Sequence, residues 1–300
     1  MQKNSNSGAA SSPQKVEASS AQPVIAIQGY TGSFHEMAAR SFFGNGVQVL
    51  PCATFRQVVK CAGDKKQTQG GIMAIENSIA GSILPNYQLL QKSNLSITGE
   101  VYLQIKQHLM VGRGVKLEDI REVHSHPMAI LQCTEFLDRH NWKLVETEDT
   151  ALSAKYVRQH NARHIAAIAG KLAATLYDLD IIAPNIHTQK NNYTRFLVVQ
   201  PRQQVEGQAA VTGEGKASVS FKTDHSRGSL AKVLSAIADG GINLSKLQSF
   251  PIPGGEFQYF FYADLEFDSS GQLQAVLAQM RSLTKELQIQ GIYQKGKMNG

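Results

Sequence analysis

Val24-Ile25-Ala26-Ile27-Gln28-Gly29-Tyr30-Thr31-Gly32-Ser33-Phe34 is the stretch whose reading decides the fold. Four apolar residues closed off by Gly29 are too few for a buried helix and fit a buried strand. Gly29 and Gly32 turn the chain. Ser33 then stands as an N-cap with Glu36 three residues on, which is the capping-box pattern. Phe34, Met37, Ala38 and Ser41 fall near helical spacing, so a helix is predicted over 33–43. Working outward, the same alternation recurs: strand 47–50, helix 55–62, strand 72–75, and a helix from Ser82 to about Gln91. Strands alternating with helices at this spacing imply a parallel α/β layer. Extended segments follow at 95–97 and 101–111. Helical patterns at 128–140, 150–158 and 171–177 are separated by short strands at 144–146, 165–168 and 181–183, and 196–199 is one more apolar strand.

Residues 201–216 are poor in apolar side chains and read as a linker. Behind them lies a second pattern. Ala217, Val219 and Phe221 alternate with polar residues, Leu230, Val233, Leu234 and Ile237 share a helix face, and 243–251 is extended. Pro253-Gly254-Gly255 reads as a turn. Phe257, Tyr259, Phe261, Ala263 and Leu265 alternate, a second helix carries Leu273 to Leu287, and 289–293 is a last strand. The order βαββαβ is that of a ferredoxin-like unit, taken as 217–295. Residues 1–22, rich in Ser, Ala, Gln and Asn, bury too little to offset chain entropy and are expected to be disordered. They lack the apolar stretch of a secretory signal and the arginines of a transit peptide.

Of the 300 residues, 42% are hydrophobic and 18% charged, which suits a chain with a sizeable core. No run approaches the ~18 apolar residues a spanning helix needs. Cys52, Cys61 and Cys133 form no Cys-x-x-Cys pair, so neither a zinc ribbon nor a disulfide framework is expected, and a cytoplasmic setting is the simplest. The net charge is +6, yet no Lys/Arg-rich run exists beyond the pair Lys65-Lys66. That argues against nucleic acid. A small polyanionic substrate and a merely solvated lysine-rich surface both stay open.

Phosphate-loop, zincin and nucleophile-elbow motifs are absent. His124-Ser125-His126 has no acidic or cysteine partner at useful spacing and points to hydrogen-bonded histidines, with no metal expected. What remains are polar loops at strand ends, which in open α/β sheets line one crevice. Gly29 to Phe34 is one. Ala74-Ile75-Glu76-Asn77-Ser78-Ile79-Ala80-Gly81-Ser82 places an acid, an amide and two hydroxyls at a strand end. Asn191-Asn192-Tyr193-Thr194-Arg195-Phe196-Leu197 places Thr and Arg where the chain enters another strand.

The second and third segments resemble the Glu-Asn-Ser-x-x-Gly-Ser and Thr-Arg-Phe-Leu-Val signatures of prephenate dehydratases. Ser125-His126-Pro127-Met128-Ala129-Ile130-Leu131-Gln132-Cys133 is similar to that family's Ser-His-Pro-x-Ala-x-x-Gln-Cys stretch, and the first loop to its Gly-Pro-x-Gly-Thr-Phe-Ser. Tyr30, Ser33 and His35 replace the usual Pro, Thr and Ser. The βαββαβ tail resembles the family's ACT regulatory domain, with Gln248-Ser249-Phe250-Pro251 in place of Glu-Ser-Arg-Pro.

The resemblance implies a two-lobed catalytic region of the periplasmic-binding-protein type over 23–200, one lobe 23–99 with 186–200 and the other 100–185. It implies cofactor-free loss of CO2 and water from prephenate in a cleft between the lobes. Thr194 would donate to the departing hydroxyl, Arg195 would grip a carboxylate, and Asn77, Ser78 and Ser33 would orient the substrate. Glu76 would act there or hold loops together, with Gly32, Gly81, Ser82 and Phe196 around the substrate. L-Phenylalanine is the implied effector, near Gly228, Leu230, Asn243, Leu244 and Ser249, in a homodimer or tetramer joined through the tail. Arogenate as substrate, or a non-catalytic two-lobed sensor, are the competing implications.

Overall fold

In the computed structural model, residues 22–202, 211, 213–224, 226–252 and 258–299 are described. The opening stretch forms β1 (Val24–Gln28) and α1 (Phe34–Phe43), and Ser33 caps the helix by accepting the Glu36 amide. Then come β2 (Gln48–Cys52), α2 (Phe55–Gly63), β3 (Gly70–Asn77), the two-residue β4 (Gly81–Ser82), α3 (Leu84–Gln91) and β5 (Leu95–Gln104). The chain crosses to a second layer for β6 (His108–Val111), β7 (Glu122–Ser125), α4 (Pro127–Leu131), α5 (Thr134–Leu137), β8 (Lys143–Glu146), α6 (Thr150–Gln159), β9 (Ile165–Ala169), α7 (Lys171–Leu176) and β10 (Asp180–Ala183). It returns as β11 (Tyr193–Pro201).

The first sheet has the order β5-β11-β3-β1-β2, with β4 on β3. β1 runs parallel to β2 and β3, while the returning β11 is antiparallel to both β3 and β5. The second sheet is β10-β6-β9-β7-β8. β11 is therefore wedged at the centre of the first sheet, with Phe196 through Val199 buried on both faces. That double burial is why its sequence is a continuous apolar run without alternation.

A third sheet follows, from β12 (Gly215–Lys222), α8 (Ser229–Asp239), β13 (Asn243–Pro251), β14 (Tyr259–Phe267), α9 (Ser270–Leu283) and β15 (Glu286–Tyr293), in the order β13-β14-β12-β15. Both helices cover one face of it, through Val233, Ile237, Leu273, Leu277 and Met280. Its other face packs on the first sheet. Phe250, Phe260, Tyr262 and Tyr293 share a core with Ile75, Tyr87, Leu95, Ile97 and Leu197. Gly291 makes the close approach possible, since a Cβ there would lie 2.0 Å from the Ile97 carbonyl oxygen. A last short strand, β16 (Met298–Asn299), pairs with β5 at Tyr102 and Leu103, so the chain end returns to the first sheet.

Several expectations are corrected. The crossing between lobes falls after Gln104 rather than at 99/100, because β5 pairs with β11 along its whole length, Leu95 opposite Pro201 through Gln104 opposite Tyr193. The predicted helix 128–140 is broken into α4 and α5; the Gln132 carbonyl accepts the Thr188 amide, which pulls it out of the helical ladder. Pro201 belongs to β11 and Gly215-Lys216 to β12, so the expected linker is shorter at both ends. Leu287 lies in β15 rather than on α9. The tail before residue 22, the body of the linker and the Pro253-Gly254-Gly255 turn lie outside the described residues. No helix among the described residues is long and apolar enough to cross a membrane.

Candidate active site

Strand register places Thr194 directly opposite Asn77. The Asn77 side chain reads unambiguously, because its Oδ1 accepts two backbone amides, Ile79 at 3.0 Å and Ala80 at 2.9 Å. An amide oxygen held by two N–H donors leaves the Nδ2 facing the other way. Nδ2 donates to Asn192 Oδ1 at 2.7 Å, to Thr194 Oγ1 at 3.0 Å and to the Tyr193 carbonyl at 3.2 Å. Thr194 Oγ1 thus accepts from Asn77, and its own proton is not committed to that bond.

That hydroxyl opens on a cavity of about 290 Å³ between the first and second sheets. Thr194, Phe196, Asn77, Ser33 and Phe55 form one wall, and Gln107, His126, Gln132, Asp149 and Thr150 the other. Strand parity explains the first wall. β11 presents Thr194 and Phe196 to the cavity and Arg195 to the opposite face. β3 reaches the same result through a bulge: the register shifts between Arg195 and Phe196, so Ile75 and Glu76 both face away while Ala74 and Asn77 face inward. Bulges re-aim side chains in this way beside functional sites.

The second wall is built from loops after strands. His126 caps α4 by accepting the Met128 amide at 3.2 Å, and Asp149 caps α6 by accepting the Leu152 amide at 2.9 Å. The lobes meet at the rim, where the Tyr30 hydroxyl donates to Glu148 and the Tyr177 hydroxyl donates to the Thr31 carbonyl at 2.6 Å.

Among the described residues, no lysine or arginine lines the cavity; Glu148 and Asp149 are the acidic residues in its lining. Burial raises the Asp149 pKa from its ordinary value. The bond to Glu148 raises that of Tyr30. His35 packs against Phe55 at 5.5 Å and edge-on against Phe196 at 5.1 Å, and burial pushes its pKa down to about 4, so it is neutral at pH 7. His35 Nε2 and Gln107 Oε1 are enclosed on the cavity wall without a hydrogen-bond partner among the described residues. Buried polar atoms of this kind find their partners in a ligand or in water.

Four of the residues singled out in the sequence, Thr194, Asn77, Ser33 and Phe196, line the cavity. Six do not. Ser78 staples β3 to β11, its Oγ donating to the Asn191 carbonyl and accepting the Tyr193 amide. Gly32 donates its amide to Glu36 and lies against Ala173. Gly81 turns the chain with φ 81°.

Arg195 corrects the expectation of a carboxylate clamp. Its guanidinium points to the third sheet, pairing with Glu100 at 2.8 Å and Asp264 at 2.5 Å and donating to the Tyr293 hydroxyl at 3.2 Å. Burial opposes its charge, but Asp264, Tyr293 and Glu100 outweigh that and raise its pKa well above the ordinary arginine value. Glu76 accepts Lys246 at 2.5 Å, and Lys246 also donates to Ser82 at 2.5 Å. His35, which stands where the family pattern has Ser, faces the cavity. Gln28, Gln107 and Asp149 were missed; Gln28 ends β1 before α1 and Asp149 caps α6, positions that were the available signal, whereas Gln107 lies in the crossover between β5 and β6, which no local signal marks.

In the third sheet, Leu230 lines a second cavity of about 280 Å³ with Thr223, Arg227, Tyr259, Phe261 and Lys285. Gly228, in the left-handed conformation at φ 78°, leads into α8 beside it. Asn243 donates to Glu266 and Leu244 packs in the core, so neither lines that cavity within one chain, nor does Ser249. Phe250, which stands where the family pattern has arginine, is buried, stacked on Phe260 at 4.9 Å and near Tyr87 at 5.7 Å.

Residues 25–204 match the family model described as prephenate dehydratase. The chain belongs to the prephenate dehydratase family. Over 279 residues it is 33% identical to arogenate dehydratase/prephenate dehydratase 2 of Arabidopsis thaliana, covering 90% of this chain and 72% of that one. Among solved structures, a prephenate dehydratase from Arthrobacter aurescens in complex with L-Phe superposes with a TM-score of 0.79 at 25% identity, covering 92% of this chain and 91% of that one. A protein described as GqqA, a novel type of quorum quenching acylase, gives a TM-score of 0.81 at 28% identity, covering 91% and 98%.

Proposed function

We propose that this chain converts prephenate to phenylpyruvate, CO2 and water, with Thr194 as the donor to the departing hydroxyl. The observation that carries the assignment is the fixed polarity of the Asn77–Thr194 bond, which leaves the threonine proton available to the cavity. The ring carbon–oxygen bond breaks as that proton moves to the leaving hydroxyl, and the bond to the ring carboxylate breaks to release CO2. Its electron pair completes the aromatic ring, and Thr194 recovers its proton from solvent, so one proton is consumed per turnover. A threonine hydroxyl is a poor acid, so the proton transfer and bond breaking are concerted.

A cavity wall without lysine or arginine among the described residues suits the second bond cleavage. A lysine or arginine on the ring carboxylate would stabilise the ground state, in which the charge is localised, more than the transition state, in which it disperses. Neutral donors such as Gln132, Ser33 and Thr150 are left to hold the side-chain carboxylate. The test is ultraviolet detection of phenylpyruvate from prephenate with nothing else added. Purified protein giving none would overturn the assignment.

A second substrate reading has its own support. Glu148 and Asp149 on the wall suit the ammonium group that arogenate carries in place of the keto oxygen. The two substrates offered in turn, scored by kcat/KM, separate the readings. An N-acyl amide as a third arm tests the chemistry named for the acylase neighbour. We further assign the third sheet with α8 and α9, taken as 217–295, to an ACT-type regulatory unit. It binds L-phenylalanine by the Gly228 loop and pairs copies of the chain. Calorimetry with L-phenylalanine and light scattering with and without it test both.

A further inference from the structure

Arg195 and Glu76 are an opposed pair on adjacent strands of the first sheet, one position on from Thr194 and Asn77. Lys246 and Asp264 are an opposed pair on adjacent strands of the third sheet. The two pairs face each other with signs inverted: Arg195 meets Asp264 at 2.5 Å and Lys246 meets Glu76 at 2.5 Å. We propose that this quartet positions the active site, holding the two residues of the Thr194–Asn77 hydrogen bond from behind so that the C-terminal sheet fixes their separation. The proposal rests on the assignment of Thr194 and Asn77 above, and makes Arg195 and Glu76 positioning residues rather than substrate ligands.

Three features support a positioning role over a generic interface contact. First, each bolt sits one residue from a cavity-lining side chain, at the bulge that sets which way β3 points its side chains. Second, Lys246 also donates to Ser82 Oγ at 2.5 Å, so one ammonium ties both strands of the loop that follows Asn77. Third, the Arg195 side is fully enclosed. Its Asp264 partner also accepts from Ser218 at 2.5 Å, and its Glu100 partner pairs with Lys216 at 2.9 Å. Buried charges held on several sides permit one arrangement, and removing one partner leaves the others uncompensated. Lys246 and Glu76 are more accessible and form the half that substitution can probe without collapse.

The experiment is a charge exchange in the full chain. Lys246→Glu and Glu76→Lys each place like charges together and are expected to lower kcat at least tenfold with KM within about twofold. The double variant K246E/E76K restores the attraction between those two positions but sets a like charge opposite Arg195 and another opposite Asp264, so it is expected to turn over faster than either parent while staying short of wild type. Lys246→Arg keeps the charge and most of the rate. Melting curves on every variant show whether the singles are folded, and the rescue is read whatever their stability. Singles that turn over at the wild-type rate, or a double variant no better than its parents, overturn the quartet. A wild-type protein inactive on prephenate and arogenate overturns the functional assignment instead, and the two failures are told apart by that first measurement.

Discussion

Asn77→Asp is the sharpest probe of the site, because it changes almost no volume and reverses one hydrogen-bond direction. The aspartate still accepts the Ile79 and Ala80 amides through one oxygen. Its other oxygen replaces an NH2 that now serves acceptors at 2.7, 3.0 and 3.2 Å. Two N–H donors are lost, and at about 1–3 kcal/mol for each buried acceptor left unsatisfied the fold should lose roughly 2–6 kcal/mol. Among the three acceptors the Tyr193 carbonyl cannot respond, the Asn192 amide can rotate its own NH2 toward the aspartate, and Thr194 can turn its O–H toward it. That withdraws the proton from the cavity, so kcat should fall by ~10²–10⁴, the range for losing a proton-transferring group. Crowding by acceptors also raises the pKa of the new carboxyl, and its protonated form can donate to Thr194 as the amide did. The variant should therefore regain activity as the pH is lowered, which wild type does not. Initial rates of phenylpyruvate formation across pH, with urea unfolding alongside, read both effects. A variant within threefold of wild-type kcat at pH 7 would refute the reasoning, as would a loss of rate without acid recovery in a folded protein.

Thr194→Ala should lower kcat by ~10²–10⁴ with little change in substrate affinity, read by steady-state kinetics on prephenate. Phe250→Ala opens a hole between the first and third sheets and should cost about 3–5 kcal/mol in denaturant unfolding. His35 is held neutral, with its pKa near 4 in the folded chain against ~6.5 unfolded. The unfolded state therefore binds more protons between those values, so stability falls as the pH drops from about 6.5 toward 4. The ceiling is about 3 kcal/mol, reduced by the part of the ring that stays exposed, and His35→Gln should flatten that part of the stability-versus-pH curve.

The order of strands and helices was legible in the sequence because its signals are local. The Ser33 cap, the apolar run at Val24, and the period-two alternation from Ala217 to Phe221 each act within a few residues. The lobe boundary was not, since the length of β5 is set by its pairing with β11, a hundred residues away. Thr194 and Asn77 were found as members of polar segments at strand ends, but a polar segment does not announce which of its residues face the ligand. Strand parity separates Thr194 from Arg195, and the bulge at Ile75 separates Asn77 from Glu76. That bulge comes from tertiary pairing and leaves no mark in composition. Arginine in a dianion-binding family invites a clamp, yet Arg195 answers the carboxylates of Glu100 and Asp264, distant in sequence and adjacent only once folded.

Moving the guanidinium out of the cavity changes how a basic protein would handle a dianion. The net charge of +6 acts at long range, raising the local concentration of an anionic substrate and its rate of encounter. Inside the cavity the requirement reverses, because the ring carboxylate must lose its charge as CO2. There the lining offers amides, hydroxyls, the neutral His35 imidazole and the carboxyls of Glu148 and Asp149, beside Phe34, Phe55, Phe196 and Ile83. Such surroundings hold a localised charge poorly and a dispersed one comparatively well, so burial itself lowers the barrier to decarboxylation. The cations nearest the catalytic strand are used instead behind it, where Arg195 and Lys246 fasten the C-terminal sheet. Attraction of the substrate and activation of its carboxylate thus make opposite electrostatic demands, the first met by the net charge of the whole chain and the second by a cavity lining without lysine or arginine among the described residues.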